Sequence, residues 1–198
     1  EYGFCSAEDF LSYIKDKEII NYYGITADSL EGYLFPDTYY MPKGISAKKA
    51  VMHMVDNFFI QLKKIMGSEL TDDRLRIHEK VILASVVERE YRVDKEAPLI
   101  ASVFLNRLKI GMPLQSCATV AYVLSEIQGK PYPERLFYRD LEIDSPYNTY
   151  KFPGLPLGPI SNPGKRALES VFNPAKSDFL FFVLRDGESG EHHFSKTL

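Results

Sequence analysis

Apolar residues recur at helical spacing in three long stretches of the chain. The first begins at Ser46, a favoured helix N-cap, and continues to about Met66. Its apolar stripe consists of Val51, Met54, Val55, Phe58, Phe59 and Leu62. The second begins within Thr-Asp-Asp at residues 71–73, where acidic groups complement the positive end of a helix dipole. The third begins at residue 94 or 95, so we predict three long helices in the middle of the chain.

Shorter patterns predict the remaining elements. They are short helices over Ser6–Lys17 and Ser116–Ser125, a final helix that starts at the Asn-Pro-Gly of residues 162–164 and ends near Phe172, and a β-hairpin of Phe179–Arg185 with Glu191–Ser195. The Asp186-Gly187 pair between the two strands is a favoured turn sequence. Segregated helices and strands predict an α+β fold, mainly helical, with a small antiparallel β component that includes this C-terminal hairpin.

Two stretches lack helical spacing and are predicted to be irregular. Leu30–Tyr40 carries aromatic rings about a Pro-Asp turn and suits a loop or short strands with exposed rings. Residues 131–163 are interrupted repeatedly by Pro and Gly. A loop of this length in a compact domain is usually functional or disordered, and the aromatic residues within it favour a function.

Glu88 is the most unusual position in the helical pattern. At 100° per residue it shares a stripe with Val81 and Ala84, which should face the core, whereas Glu90 points to nearly the opposite side. An apolar setting raises the pKa of a carboxyl group, which then keeps the proton that a general acid needs. The alternative is a solvated ion pair between Glu88 and Arg92, one helical turn apart.

The composition limits the classes of function. With 198 residues, of which 45% are hydrophobic, the chain is long enough for one sizeable globular domain. The net charge of -3 gives no general attraction for nucleic acid, and no nucleic-acid partner is expected. Partners should therefore be recognised by shape and local chemistry.

Cysteine and histidine residues form no recognisable ligand motif. Cys5 and Cys117 lack C-x-x-C spacing, and the four histidines lack a motif such as H-E-x-x-H. We therefore expect no metal, no cofactor and no bond between the two cysteines.

Six sequence blocks carry a resemblance to a known family. In chain order they are LEGYLFPDTY, ASVVEREY, ASVFLNRLKIGMPLQS, SPYNTY, GLPLGPISNPG and NPAKSDFLFFV. In this order and spacing they resemble the endolytic murein transglycosylase family, also called YceG-like, and six ordered blocks are far more specific than one short motif. The resemblance implies that the first glutamate of ASVVEREY, Glu88, is the catalytic acid.

The resemblance also implies an activity and a location. Family members are peptidoglycan lytic transglycosylases, which cleave glycan strands between N-acetylmuramic acid and N-acetylglucosamine and leave a 1,6-anhydro-muramyl end. They are expected at the extracytoplasmic face of the bacterial cell membrane, anchored by an N-terminal helix outside this chain, with peptidoglycan synthases as partners. By the same resemblance, residues 1–29 are expected to be the end of a LysM-like module or a connecting helix, and residues 30–198 the catalytic domain.

Several side chains are candidates for positioning the glycan. Gln115, Tyr147 and Asn148 carry amide or hydroxyl groups that suit the N-acetyl groups and the sugar ring. Aromatic residues of the first block are expected to form a wall on which sugars stack, with one or two of the rings in the core instead. They are Tyr33, Phe35, Tyr39 and Tyr40.

Two acidic residues of the first block have open roles. Glu31 suits either sugar hydroxyls or an ion pair with a nearby arginine, and Asp37 suits either substrate or the cap of its own turn. Either could be the second carboxylate that a hydrolytic muramidase requires, about 5 to 9.5 Å from the first. Besides such a hydrolase, the alternative is a non-catalytic glycan-binding scaffold of a cell-wall synthesis complex.

One block departs from the family pattern. Relatives often have T-D-P-T after Leu-Gln, whereas this chain has Ser116-Cys117-Ala118-Thr119. If the missing aspartate binds substrate in relatives, that role is absent here. If it caps a helix, Ser116 can replace it.

Overall fold

The described part of the chain, residues 5–67 and 73–197 of the computed structural model, is mainly helical and ends in an antiparallel pair of strands. The helices are α1 (Ala7–Ile14), α2 (Lys17–Tyr22), α3 (Ala47–Met66), α4 (Arg74–Glu90), α5 (Ala97–Lys109), α6 (Cys117–Tyr122), α7 (Tyr138–Leu141) and α8 (Lys165–Phe172). The strands are β1 (Phe181–Leu184) and β2 (His192–Ser195). The predicted α+β class is confirmed.

Helix α4 lies at the centre of the core. Every residue from Val81 to Val87 is buried, and α5, α6 and α8 pack against the helix. Because the segment from Val81 to Val87 is covered on all sides, the expectation that only one stripe of α4 faces the core is wrong for these turns. The carboxylate of Asp73 accepts the N–H of Arg76 at 3.1 Å and caps the helix, whereas Thr71 and Asp72 lie outside the described residues.

Helix α3 covers the core much as predicted. Ser46 Oγ accepts the N–H of Lys49 at 3.4 Å, and Val51, Phe58 and Leu62 are among its buried residues. Within the described ranges, neither this helix nor any other is long and apolar enough to cross a membrane.

The segment before Leu30 belongs to the same core. Helix α1 has Ser6 as its predicted N-cap. Helix α2 was not predicted, because six residues are too few to show helical spacing. Ile19 and Ile20 of α2 are buried in the main core, and the N–H of Leu30 donates to the carbonyl of Ile14 at 2.8 Å.

The C-terminal hairpin is confirmed, with Phe181 opposite Ser195 and Leu184 opposite His192. Its connection is longer than a two-residue turn. The Asp186 carboxylate accepts the N–H of Ser189 at 2.6 Å, which closes a wider loop between the strands.

Candidate active site

Glu88 lies in the last turn of α4, where the buried helix reaches the surface. Its Oε2 atom accepts the N–H of Gly164 at 3.0 Å and the hydroxyl of Tyr91 at 3.4 Å. Gly164 is the N-cap residue of α8, next to the N–H groups that a helix leaves without intrahelical partners. Among the described residues, Glu88 forms no ion pair with Arg92, which was the alternative to a catalytic setting.

The surroundings of Glu88 favour a retained proton. Burial raises the pKa of its carboxyl group above the ordinary value, and the negative charge of Asp94 acts in the same direction. The Gly164 N–H and the Tyr91 hydroxyl oppose this rise because they stabilise the charged form. The site therefore supports the protonated carboxyl while keeping hydrogen-bond donors ready for the carboxylate.

Two loops are held together beside this end of α4. Asn162 Oδ1 accepts the N–H of Gly32 at 2.9 Å, and Ser161 Oγ donates to the carbonyl of Ser85 at 2.9 Å. Gly32 has a φ of +88°, and a Cβ there would lie 2.6 Å from Cγ of Pro159. Only glycine permits this backbone conformation together with this close approach.

A cavity of about 380 Å³ opens on the Arg89 side of α4. We call it the Glu31 cavity, and its charged and polar lining includes Glu31, Arg89, Tyr122, Glu126, Tyr132 and Asn162. Part of its wall is a π-helical turn, Val123–Ile127, which continues α6. Single π-helical turns within helices occur frequently at functional sites.

Of the predicted binding residues, Glu31 lines this cavity and Tyr147 lies next to its lining residue Tyr122. Glu31 is half-buried, and its pKa is raised by burial and then by the charge of Glu126. The ring of Tyr147 lies 5.1 Å from the ring of Tyr122, and the Glu31 carboxylate helps to raise the Tyr147 pKa after burial. The predicted ion pair of Glu31 with an arginine is not formed among the described residues.

Gln115 occupies a conspicuous backbone position. Its φ is +50°, which is uncommon for a residue with a side chain and costs free energy unless the surroundings enforce it. The Gln115 N–H donates to the carbonyl of Thr149 at 3.0 Å, so the LQS and SPYNTY blocks are joined as neighbours. The Gln115 side chain is exposed and free to meet a ligand.

The predicted aromatic wall needs correction. Tyr33 and Phe35 are 2% and 5% exposed, and neither ring offers a face to a sugar. The Tyr33 hydroxyl bonds Nδ1 of His78 at 2.8 Å inside the core. Tyr39 is half-buried, and its hydroxyl donates to the Phe35 carbonyl at 2.6 Å, which leaves Tyr40 as the exposed ring of this block.

Asn148 also proves to be internal, with no exposed surface. Its Nδ2 donates to the carbonyls of Leu141 and Ile143, both at 2.8 Å, and its Oδ1 accepts the N–H of Tyr150 at 3.0 Å. The amide group is fully used in shaping the long loop, so the predicted contact with N-acetyl groups is wrong for this residue.

The exposed carboxylate of Asp37 is engaged locally. It accepts the N–H of Thr38 at 2.8 Å and Nδ2 of Asn57 at 3.0 Å, and these bonds hold the pKa of Asp37 below its usual range. This pattern favours the turn cap over the substrate contact.

Glu90 is a second unusual carboxylate, two residues beyond Glu88. The Ser116 hydroxyl donates to Glu90 Oε1 instead of capping α6, whose N-cap position Ser116 occupies. Burial raises the pKa of Glu90, although the Ser116 hydroxyl and the charge on His192 oppose this. Glu90 thus connects α4 to the loop that presents Gln115.

A buried contact between His192 and Glu96 attaches the hairpin to the core. Nδ1 of His192 lies 2.8 Å from Oε2 of Glu96, and both side chains are almost fully buried. Across residues 5–67 and 73–197, no group of three or more His, Cys, Asp or Glu is placed to hold a metal ion.

Sequence reasoning missed several contributors to the site. Neither Tyr91, which bonds Glu88, nor Arg89, which lines the Glu31 cavity, was assigned to the site from sequence. The Gly164 N–H could not be found from sequence, because it reaches Glu88 only when α8 packs beside α4. Asp94 and Tyr122 gave no signal in the linear pattern.

Comparison with known proteins identifies the family. The YceG-like family model matches residues 4–198, and the chain belongs to this family. It is 40% identical over 172 residues to the endolytic murein transglycosylase of Bacillus subtilis strain 168, covering 85% of this chain and 45% of the relative. It is 37% identical over 157 residues to the protein of that name from Streptococcus pneumoniae strain D39, covering 78% of this chain and 28% of the relative.

A solved structure shares the fold. The crystal structure of a yceG-like protein from Listeria monocytogenes superposes with a TM-score of 0.82 at 37% identity, covering 98% of this chain and 66% of that chain. The chain spans less than half the length of the two curated relatives from Bacillus subtilis and Streptococcus pneumoniae. The boundary expected between residues 29 and 30 stays a prediction.

Proposed function

We propose that this chain is the glycan-cleaving part of an endolytic peptidoglycan lytic transglycosylase, with Glu88 as its catalytic acid. The observation that carries the proposal is the setting of Glu88, a carboxyl with a raised pKa whose Oε2 faces the Gly164 N–H and the Tyr91 hydroxyl. The names of the relatives support the same reaction.

The reaction needs only one carboxyl group. Protonated Glu88 gives its proton to the glycosidic oxygen as the bond from that oxygen to the muramyl C1 breaks. The resulting carboxylate, stabilised by the Gly164 N–H, takes the proton of the muramyl C6 hydroxyl while the C6 oxygen bonds to C1. The 1,6-anhydro ring closes without water, and Glu88 is protonated again. The internal nucleophile is already positioned, so effective molarity replaces an activated water.

Other predicted binding residues remain candidates for the glycan site. Gln115, which is exposed, and Tyr147, which is half-buried, are candidates for positioning the sugar, and Glu31 borders the neighbouring cavity. Peptidoglycan lies outside the cytoplasmic membrane, so the proposal includes extracytoplasmic action. Anchoring by a segment outside this chain and contact with peptidoglycan synthases remain predictions, which crosslinking of the full-length protein in cells would measure.

Analysis of the products tests the reaction. We expect mass spectrometry of digested glycan strands to find 1,6-anhydro-muramyl ends and no oxygen-18 after digestion in labelled water. Incorporation of solvent oxygen at C1 would instead indicate a hydrolytic muramidase. Asp94, whose charge acts on Glu88, would then be the candidate second carboxylate, and Asp94→Asn would abolish turnover.

A glycan-binding scaffold is the remaining alternative. It would use the same exposed groups without chemistry, so purified chain would bind glycan strands but release no fragments. The scaffold alternative is excluded if the wild-type chain cleaves strands and Glu88→Gln binds strands without cleaving them.

A further inference from the structure

The Glu31 cavity carries charges that the protein itself does not pair. Within the described ranges, Glu31, Glu126 and Arg89 take part in no ion pair. Two like charges at one cavity without an ion-pair partner are unfavourable, and the raised pKa of Glu31, due to burial and then to Glu126, is consistent with this. A bound ammonium group would relieve the repulsion.

Arg89 provides the opposite charge at the same cavity. Its guanidinium carbon lies 5.2 Å from the centre of the Tyr132 ring, which holds the planar group while leaving its N–H donors available. A guanidinium group is suited to paired hydrogen bonds with a carboxylate. The cavity therefore presents sites for both an ammonium and a carboxylate.

The size of the cavity limits what it can hold. About 380 Å³ is near the lower end of the range for ligand pockets, roughly 300 to 1,000 Å³. A neutral sugar uses none of the unpaired charges, whereas a short peptide with a free amine and a carboxylate uses all of them. The stem peptides of peptidoglycan have this chemistry.

Two residues that line the cavity are close in the chain to the Glu88 site. Arg89 follows Glu88 on α4, and Asn162 lies two residues before Gly164, which donates to Glu88. A glycan strand bound at Glu88 would carry the stem peptide of a muramyl residue towards this cavity.

We propose that the Glu31 cavity binds a peptide stem of the glycan strand, with its free ammonium group between Glu31 and Glu126 and a carboxylate at Arg89. This inference rests on the proposed function, since it concerns the substrate of the same site. It predicts that the protein distinguishes strands by the charge of their stems.

Selective cleavage tests the inference. Strands with lysine-type stems, the same strands after acetylation of the lysine amine, and strands stripped of stems by an amidase are compared. The measured quantity is kcat/KM on stem-bearing strands divided by kcat/KM on stripped strands. We expect this ratio to fall about tenfold in Glu126→Gln and in Arg89→Gln, because losing one charged contact is worth a factor of this order. The change should arise mainly from KM. Glu142→Gln, an exposed residue outside the cavity, is the matched control.

Binding provides a second readout. Calorimetry with Glu88→Gln should detect N-acetylmuramyl-L-alanyl-D-isoglutaminyl-L-lysine more strongly than its amine-acetylated form, and adding Glu126→Gln should remove the difference. If strands are cleaved but neither cleavage nor binding depends on the free amine, the inference is overturned and the proposed function stays intact. Amine-dependent binding without cleavage of any strand by the wild-type chain would contradict the proposed function alone.

Discussion

Helix α4 places two glutamates two residues apart in contrasting surroundings. Glu88 lies in the last turn of the helix, where a backbone N–H and a tyrosine hydroxyl approach one oxygen. Glu90 faces inward, bonded to Ser116 and influenced by His192. Burial raises both pKa values, so a perturbed pKa alone does not identify the acid. We propose that access to substrate separates the two roles, and substitutions can test the separation.

The largest expected effect is on catalysis by Glu88→Gln. The substitution keeps the shape of the side chain and removes the transferable proton, so glycan cleavage should fall by at least about 10² to 10⁴-fold. Release of anhydro-muramyl products is the measurement. Glu79→Gln, an exposed change on the same helix, is the control and should retain normal turnover. More than about a tenth of the wild-type rate in Glu88→Gln would remove Glu88 from its role.

A change at Gly164 should shift the pH dependence of cleavage. The backbone at Gly164, with φ of -80°, matches the φ of proline, and Gly164→Pro removes the N–H that favours the charged form of Glu88. The proline Cδ takes the place of that hydrogen and displaces the Glu88 Oε2. The Glu88 pKa should then rise further, so the acid stays protonated to higher pH. We expect the basic limb of the kcat/KM profile to move up by about one pH unit, since hydrogen bonds to charged groups contribute about 1.5–3 kcal/mol.

Gly164→Ala separates the lost N–H from the added bulk. A Cβ there would lie 3.6 Å from Glu88 Oε2, an ordinary contact, and the N–H remains. Its profile should match that of the wild type. Equal shifts in both variants would show that the donor is not responsible.

The enclosed glutamate should affect stability more than chemistry. Glu90→Ala leaves the Ser116 hydroxyl without its acceptor and should lower the free energy of unfolding by about 1–3 kcal/mol. Glu90→Gln keeps an acceptor and should cost less. Urea unfolding of both variants gives these values, and a larger loss of kcat in Glu90→Gln than in Glu88→Gln would reverse the assignment of the two residues.

The raised Glu90 pKa also sets a direction for pH dependence. A carboxyl whose pKa is higher in the folded chain contributes stability that is full below the unfolded-state pKa and is lost as pH rises through the folded value. The stability of the wild type relative to Glu90→Gln should therefore fall from acidic towards neutral pH. A constant difference between the two unfolding curves across this interval would contradict the burial of an ionisable group at this position.

The contrast between the two glutamates shows what the sequence could predict. Helical spacing located α3, α4 and the stripe of Glu88, because local periodicity reports which residues share a face. It did not predict that the side of α4 carrying Glu90 is covered too, because periodicity does not reveal which elements pack against a helix. The burial of Tyr33 and Asn148 and the Gly164 donor depend on contacts between segments far apart in sequence.

The smallest effect is expected from the cysteines, although Cys117 adjoins the Ser116 that bonds Glu90. Cys5 and Cys117 are both free and exposed, and the Cys117 sulfur lies 3.0 Å from the Tyr150 hydroxyl, a contact that serine can replace. Cys5→Ser combined with Cys117→Ser should change the free energy of unfolding by no more than about 0.5 kcal/mol and leave cleavage unchanged. Ser116→Ala removes the hydroxyl that donates to Glu90, so it should lower the free energy of unfolding more than the cysteine substitutions do. The prediction is contradicted if reduction adds two hydrogens to the mass of the wild-type chain and greatly lowers its thermal stability. Such a result would show that Cys5 and Cys117 form a disulfide.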